Sequence, residues 1–223
     1  MTGAGTALRV KLALTTPGLR TAAAGLWRPP GLDRRYPIYL RTMHAVIRAS
    51  VPLMELAASH CVELGADDPV GPSLRRYLAE HIVEERGHDE WLLADLAALG
   101  DDPAGWLGRP VPSVVARLVG AHYYWVSHHH PVSLLGYIAV MEGNAPSATL
   151  ADWIVARAGV PEAAVRTVRE HAELDVAHSD AVIDLLDRLP LTADQAGAVA
   201  TAALCTVDGL LTLYGHIGKG GPS

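Results

Sequence analysis

Two stretches of this sequence hold metal-binding side chains at a spacing that a helix would turn into a site. The first, EHAELDVAHSD, places His171, Asp175 and His178 at i, i+4 and i+7. At about 100° per residue these fall on one narrow stripe, two imidazoles and a carboxylate facing the same way. Such a set suits a divalent ion of the iron, manganese or zinc type. The second, EHIVEERGHDE, repeats the order with His81, Glu85 and His88, and contains Glu-x-x-His. One triplet alone is as readily a solvated polar face. Two copies of His-x-x-x-acid-x-x-His in separate segments favour metal binding.

A dinuclear centre also needs carboxylates from other helices. Glu55 in VPLMELAAS and Glu142 in LLGYIAVMEGN are each the sole acid of an apolar stretch. A carboxylate is costly to bury there unless a partner or cation accompanies it, although snorkelling or a hydrogen bond would account for either acid alone. With the histidine motifs they complete an order: Glu, Glu-x-x-His, Glu, Asp-x-x-His. That is the inward-facing ligand plan of di-iron carboxylate bundles, with His171 as an additional nitrogen ligand.

Neighbouring residues compete for these roles. Glu84 could supplant Glu85, but the Glu-x-x-His spacing selects Glu85. His81 reads as a hydrogen-bond partner of a ligand carboxylate rather than a ligand. The run His128–His129–His130 before Pro131 reads as loop surface, because adjacent residues at a helix end point in different directions. Arg48 reads as a surface ion pair, with a clamp on a substrate carboxylate as the alternative. Tyr123, Tyr124 and Trp125 read as core or pocket wall.

The elements that must position these groups read as helices throughout. Met43, Ile47, Val51, Met54 and Ala58 recur three or four residues apart, predicting a helix over 33–64 that Pro52 kinks. A second helix is expected over 73–99, closed by Gly100, followed by helices over 111–128, 133–142, 147–158 and 162–188. Thr192 and Gln195 form a capping-box start for the last, which runs to about His216. No segment alternates with period two, so the fold class is all-α. Residues 1–32, rich in Gly, Ala, Thr and Pro, read as a flexible arm; 33–217 form the domain and 218–223 a frayed tail.

With 223 residues, half of them apolar, the chain is long enough for one sizeable core. A net charge of −6 and no basic stripe argue against nucleic acid as a partner. No uninterrupted apolar run reaches membrane-spanning length, and Pro17 cuts the only signal-like stretch, so no membrane partner and a cytoplasmic location are expected. Cys61 and Cys205 lie far apart and outside any CxxC pair, so they read as reduced thiols.

The ligand residues, the opening YPIYLRTMHAVIRASVPLMELA and the segment PVSLLGYIAVMEG together resemble the heme-oxygenase-like di-iron oxidases and oxygenases, from about Arg34 to Arg188. The resemblance implies a bundle of about seven helices. It also implies two iron ions cycling between Fe(II) and Fe(III), held by Glu55, Glu85, His88, Glu142, His171, Asp175 and His178. O2 would be the co-substrate, a small molecule the substrate, and an external electron donor and a second copy of the chain the further partners. Members of that family oxygenate or fragment amino acids or decarboxylate fatty acids, and an amino acid or other amine-bearing substrate is expected. Three alternatives stand beside this reading. They are a ferritin-like di-iron protein, a metal-independent thiaminase or cofactor-maturation enzyme on the same scaffold, and a non-catalytic helical interaction protein.

Overall fold

A computed structural model describes residues 3–65 and 67–220, with only the backbone described at residue 176. The described residues form eleven α-helices and no strand. The seven expected helices are all present; two are split, and two more are added.

The first addition is α1 (Ala4–Leu26), where a flexible arm was expected. Its Leu8, Leu19 and Leu26 are buried against the two C-terminal helices. Asp187 meets the start of α1, accepting from Thr6 N at 3.0 Å and Thr6 Oγ1 at 2.8 Å. That satisfies one of the donors a helix start leaves open. Three leucines so widely spaced give little periodicity to read, which is why the segment looked loose. The proposed tail from 218 lies partly outside the described residues.

The first split divides the long N-terminal helix into α2 (Leu32–Ile47) and α3 (Ser50–Glu63). Pro52 has no N–H for the Arg48 carbonyl four residues back, and its ring crowds that carbonyl. The chain accordingly breaks at Arg48 and Ala49, a full turn before the proline. The second split separates α4 (Gly71–Glu85) from α5 (His88–Ala98). Gly87 between them has φ of +91°, a left-handed conformation that a residue with a Cβ resists.

A short α6 (Pro103–Leu107) precedes α7 (Ser113–His128). Next comes a single turn, Pro131–Ser133, leading into α8 (Leu134–Glu142). The remaining helices are α9 (Leu150–Ala158), α10 (Arg166–Arg188) and α11 (Ala193–Gly218). The capping box of α11 forms as expected, with Gln195 N donating to Thr192 Oγ1 at 3.2 Å and Thr192 N to Gln195 Oε1 at 2.9 Å. By length and composition alone α11 is long and apolar enough to cross a membrane, although Asp208 interrupts its apolar run. Here, however, it packs inside the bundle against α1, α7 and α8.

Every residue of α8 from Leu134 to Val140 is buried, so this helix lies at the centre of the core and carries Glu142 at its end. It touches α11 through small residues. A Cβ on Gly136 would collide with the carbonyl oxygen of Val199 and the backbone nitrogen of Ala203, and both are fixed by helix. Gly136→Ala should therefore destabilise the protein by about 3 kcal/mol, the upper end of ordinary overpacking, as read by chemical denaturation. Gly120→Ala on α7, where nothing lies within 4 Å, should not.

Candidate metal centre

Helix α10 contributes three of the expected ligands, and its start is tied down from α5. Asp95 is fully buried; its two carboxylate oxygens accept from Arg166 N at 3.2 Å and Thr167 N at 3.0 Å. It acts as an N-terminal cap supplied by a neighbouring helix, fixing the rotation and height of α10 relative to His88. Asp95→Ala would leave one buried and one part-buried N–H group without this acceptor and cost about 2 kcal/mol in stability. Metal affinity should fall with it, whereas Asp95→Asn, whose single carbonyl oxygen can accept from only one of the two N–H groups, should retain part of both.

Two groups of donors converge at the centre. His81, Glu85, Glu142 and His178 form one, and Glu85, His88 and His171 the other; within each, one ligand atom per residue lies within 4.8 Å of all the rest. Glu85 belongs to both. It comes from the last residue of α4, while His88 is the first of α5, so the Gly87 break folds Glu-x-x-His around a corner. Glu85 Oε1 is still 3.3 Å from His88 Nδ1. Glu142 from α8 approaches His178 Nδ1 at 3.3 Å and His81 Nε2 at 3.5 Å. His171 Nδ1 lies 2.9 Å from the Thr167 carbonyl, to which it donates, leaving Nε2 free as a ligand atom. Its ring stands edge-on to that of His88, with centroids 5.1 Å apart.

The donors fit metal ions better than they fit each other. His88 Nδ1, His178 Nδ1 and Asp175 Oδ1 are buried with no hydrogen-bond partner, although carboxylate oxygens lie 3.3 Å from both nitrogens. Buried polar atoms that gather without pairing are costly unless something else satisfies them. Burial, and then the charges of Glu142 and Glu85, push the Asp175 carboxyl up to about 8. Burial would raise Glu142 as well, but His178 and His81 hold it down at about 2. Imidazoles and carboxylates in this mixture are the donors that iron accepts in either oxidation state.

Of the seven residues the resemblance implied, six therefore come together: Glu85, His88, Glu142, His171, Asp175 and His178. Glu55 does not. The buried stripe of α3 is Leu53, Met54, Ala57 and Cys61, and Glu55 lies outside it. Its carboxylate is over half exposed and pairs with Arg86 at 3.4 Å. The helix break at Arg48 and Ala49 sets that phase. His81 approaches the Glu142 carboxylate, as expected, and lies within the donor cluster as well. Of the rival acids, Glu85 is buried and Glu84 is half exposed at its edge. His128 and His129 are exposed, whereas His130 is mostly buried and pairs with Asp68 at 3.3 Å. Arg48 is exposed and lines no cavity at the centre.

Beside the cluster lies a cavity of about 100 Å³, bounded by Glu85, Glu142, His171 and Asp175. Met43, Ile47, Leu92, Met141, Val168 and Leu210 line it with Tyr39 and Tyr214, and among the described residues no lysine or arginine does. Burial pushes the Tyr214 phenol up to about 12, so it stays protonated.

Comparison with known proteins bears on the fold and the family. A domain of unknown function with a heme oxygenase-like fold from Shewanella denitrificans superposes with a TM-score of 0.82 at 18% identity, over 96% of this chain and 91% of that one. A TenA homolog from Pseudomonas syringae pv. tomato superposes with a TM-score of 0.68 at 12% identity, over 92% of this chain and 91% of that one. No curated protein matches the sequence. The family model described as iron-containing redox enzyme matches residues 60–209, well over half of the chain and all six of the converging side chains. The chain has the heme-oxygenase-like fold and belongs to the family of iron-containing redox enzymes.

Proposed function

We propose that the chain is a non-heme di-iron enzyme that uses O2 to oxidise a small amine-bearing molecule held in the cavity beside Asp175. The observation that carries this reading is Glu85, one buried carboxylate shared by two donor groups, each of which contains histidine. A shared carboxylate is what holds two ions side by side. Bound there, the iron pair would supply the reduction of O2 and the oxidising power. The chain's own part is positioning and exclusion of water.

His171, locked by the Thr167 carbonyl, presents one nitrogen in a fixed direction. The wall of Met43, Ile47, Leu92, Met141, Val168 and Leu210 keeps the cavity dry and accepts an apolar body. With no lysine or arginine in the lining, a substrate carboxylate finds no side-chain cation, whereas an amine finds acids. This favours simple amines over amino acids within the class expected from the sequence.

Two alternatives lose support. The fold is not ferritin-like. Thiol chemistry on this scaffold would need a reactive cysteine, but neither Cys61 nor Cys205 lines the cavity, and burial pushes the Cys61 thiol up to about 11. The test is O2 uptake by the iron-loaded protein against matched amines, amino acids and fatty acids. Faster uptake with small apolar amines is expected; an iron-loaded protein that consumes no O2 with any of them overturns the reading.

A further inference from the structure

The ligand set implied by resemblance leaves out the most buried imidazole of the cluster. His81 is only 3% exposed and lies one helical turn before Glu85, on the same inward stripe as Leu74, Leu78 and Ile82. We propose that His81 is a further metal ligand, binding through Nε2 the ion that Glu142 and His178 hold, and that Glu84 is the positioning residue that orients both imidazoles. This rests on the reading of the cluster as a metal centre.

The ring atoms carry the argument. Glu84 Oε2 lies 3.3 Å from His81 Nδ1. A carboxylate there makes Nδ1 the protonated nitrogen and turns the lone pair to Nε2. In the neutral ring that lone pair faces Glu142 Oε1 at 3.5 Å, acceptor against acceptor, so either a proton or a metal ion must lie between them. The same Glu84 oxygen is 3.5 Å from His178 Nε2, which leaves His178 Nδ1 to face Glu142 Oε2 at 3.3 Å. Glu84 thus hydrogen-bonds one imidazole and lies beside the other, and each ring has its remaining nitrogen within 3.5 Å of Glu142.

Spacing agrees. Two donors on one first-row ion, each bonded at about 2.1 Å, are separated by roughly 3.0–3.4 Å in octahedral or tetrahedral sets. The His81–Glu142 and His178–Glu142 separations of 3.5 and 3.3 Å need little adjustment. The His81 and His178 rings are nearly perpendicular, 86° apart with centroids at 4.9 Å, so the two edges approach one point without overlap. Tyr77 stacks on His81 at 5.5 Å and 20°, holding the ring against rotation out of the site. With His81 included, each ion would have two imidazoles: His88 and His171 for one, His81 and His178 for the other.

Cobalt(II) titration tests this, followed by visible absorption and by metal analysis after gel filtration. The wild type should take two equivalents per chain. His81→Gln, close in size, should keep the first equivalent and bind the second at least about tenfold more weakly, with altered d–d bands for that ion alone. In His81→Ala, added imidazole should restore the second equivalent and its bands, which a purely structural role would not allow. Glu84→Gln should bind two ions, with the second weakened by about tenfold and its bands shifted. Two equivalents with unchanged affinities and bands in His81→Gln would overturn the assignment of His81 while leaving the centre intact. A wild type that binds no cobalt would overturn the metal-centre reading and this assignment with it.

Discussion

Glu85→Ala should abolish tight binding of both ions and lower O2-dependent turnover by more than about 100-fold, the loss that removal of a mere outer partner can cause being the floor. The other donors each serve a single group, whereas Glu85 belongs to both. Its position as the last residue of α4, directly before the Gly87 corner, lets one carboxylate face His88 on one side and His178 on the other. The distances from Glu85 Oε1 are 3.3 Å and 3.9 Å to the Nδ1 atoms of these two histidines. Without it, four imidazoles and two acids remain with nothing to join them. The fold should survive, because Glu85 makes no hydrogen bond on which packing depends. Glu55→Ala is the matched control. Exposed and paired only with Arg86, it should change stability by less than about 0.5 kcal/mol and leave iron content as in the wild type.

The metal-free protein should lose stability as pH rises, and metal should restore it. Burial and the charges of Glu142 and Glu85 hold the Asp175 carboxyl at about 8 in the folded chain, far above an unfolded aspartate at about 3.9. Between those values the folded state carries one more proton than the unfolded state. Stability must then fall with rising pH, by about 1.4 kcal/mol per pH unit for that one proton. His178, raised chiefly by Glu142, adds to the slope as pH passes its folded value. So does His81, where Glu142 and Glu85 outweigh the lowering effect of burial. Divalent ions replace these protons. At a hundredfold excess over its Kd each ion contributes about 2.7 kcal/mol, and because protons must leave, affinity rises with pH. Thermal melts from pH 5 to 8 should therefore slope downward without metal and much less with ferrous or cobalt ions under argon. Asp175→Asn, which cannot ionise, should flatten the metal-free slope. A slope that is flat in the wild type, or unchanged by Asp175→Asn, would contradict a proton held on Asp175 by its buried acidic neighbours.

How much of this could be read from residues alone depended on whether one helix carried the information. His171, Asp175 and His178 share α10, so their spacing was enough. Glu85 and His88 do meet, but not along one helical face. They lie on two helices, and Gly87, which sits inside the motif, makes the corner that brings them together. Glu55 failed because its inward phase was inferred across Pro52, and the break that this proline imposes at Arg48 resets the phase. The burial of His81 is legible in the sequence. Leu74, Leu78, Ile82 and Glu85 define the inward stripe of α4, and His81 falls on it. Asp95 had no sequence signal, since an acid that caps a different helix is specified only by packing. Helix α1 was hidden by Pro17 and by leucines too sparse to show a period, although Thr6 and Leu8 dock it firmly.

The central claim is that two ions flank Glu85. Crystals grown and loaded with ferrous iron under anaerobic conditions, and measured at the iron absorption edge, test it directly. The account predicts two anomalous peaks on opposite sides of the Glu85 carboxylate, one bonded to His88 and His171 and the other to His178 and Glu142. A single peak, or two peaks that Glu85 does not join, would contradict it.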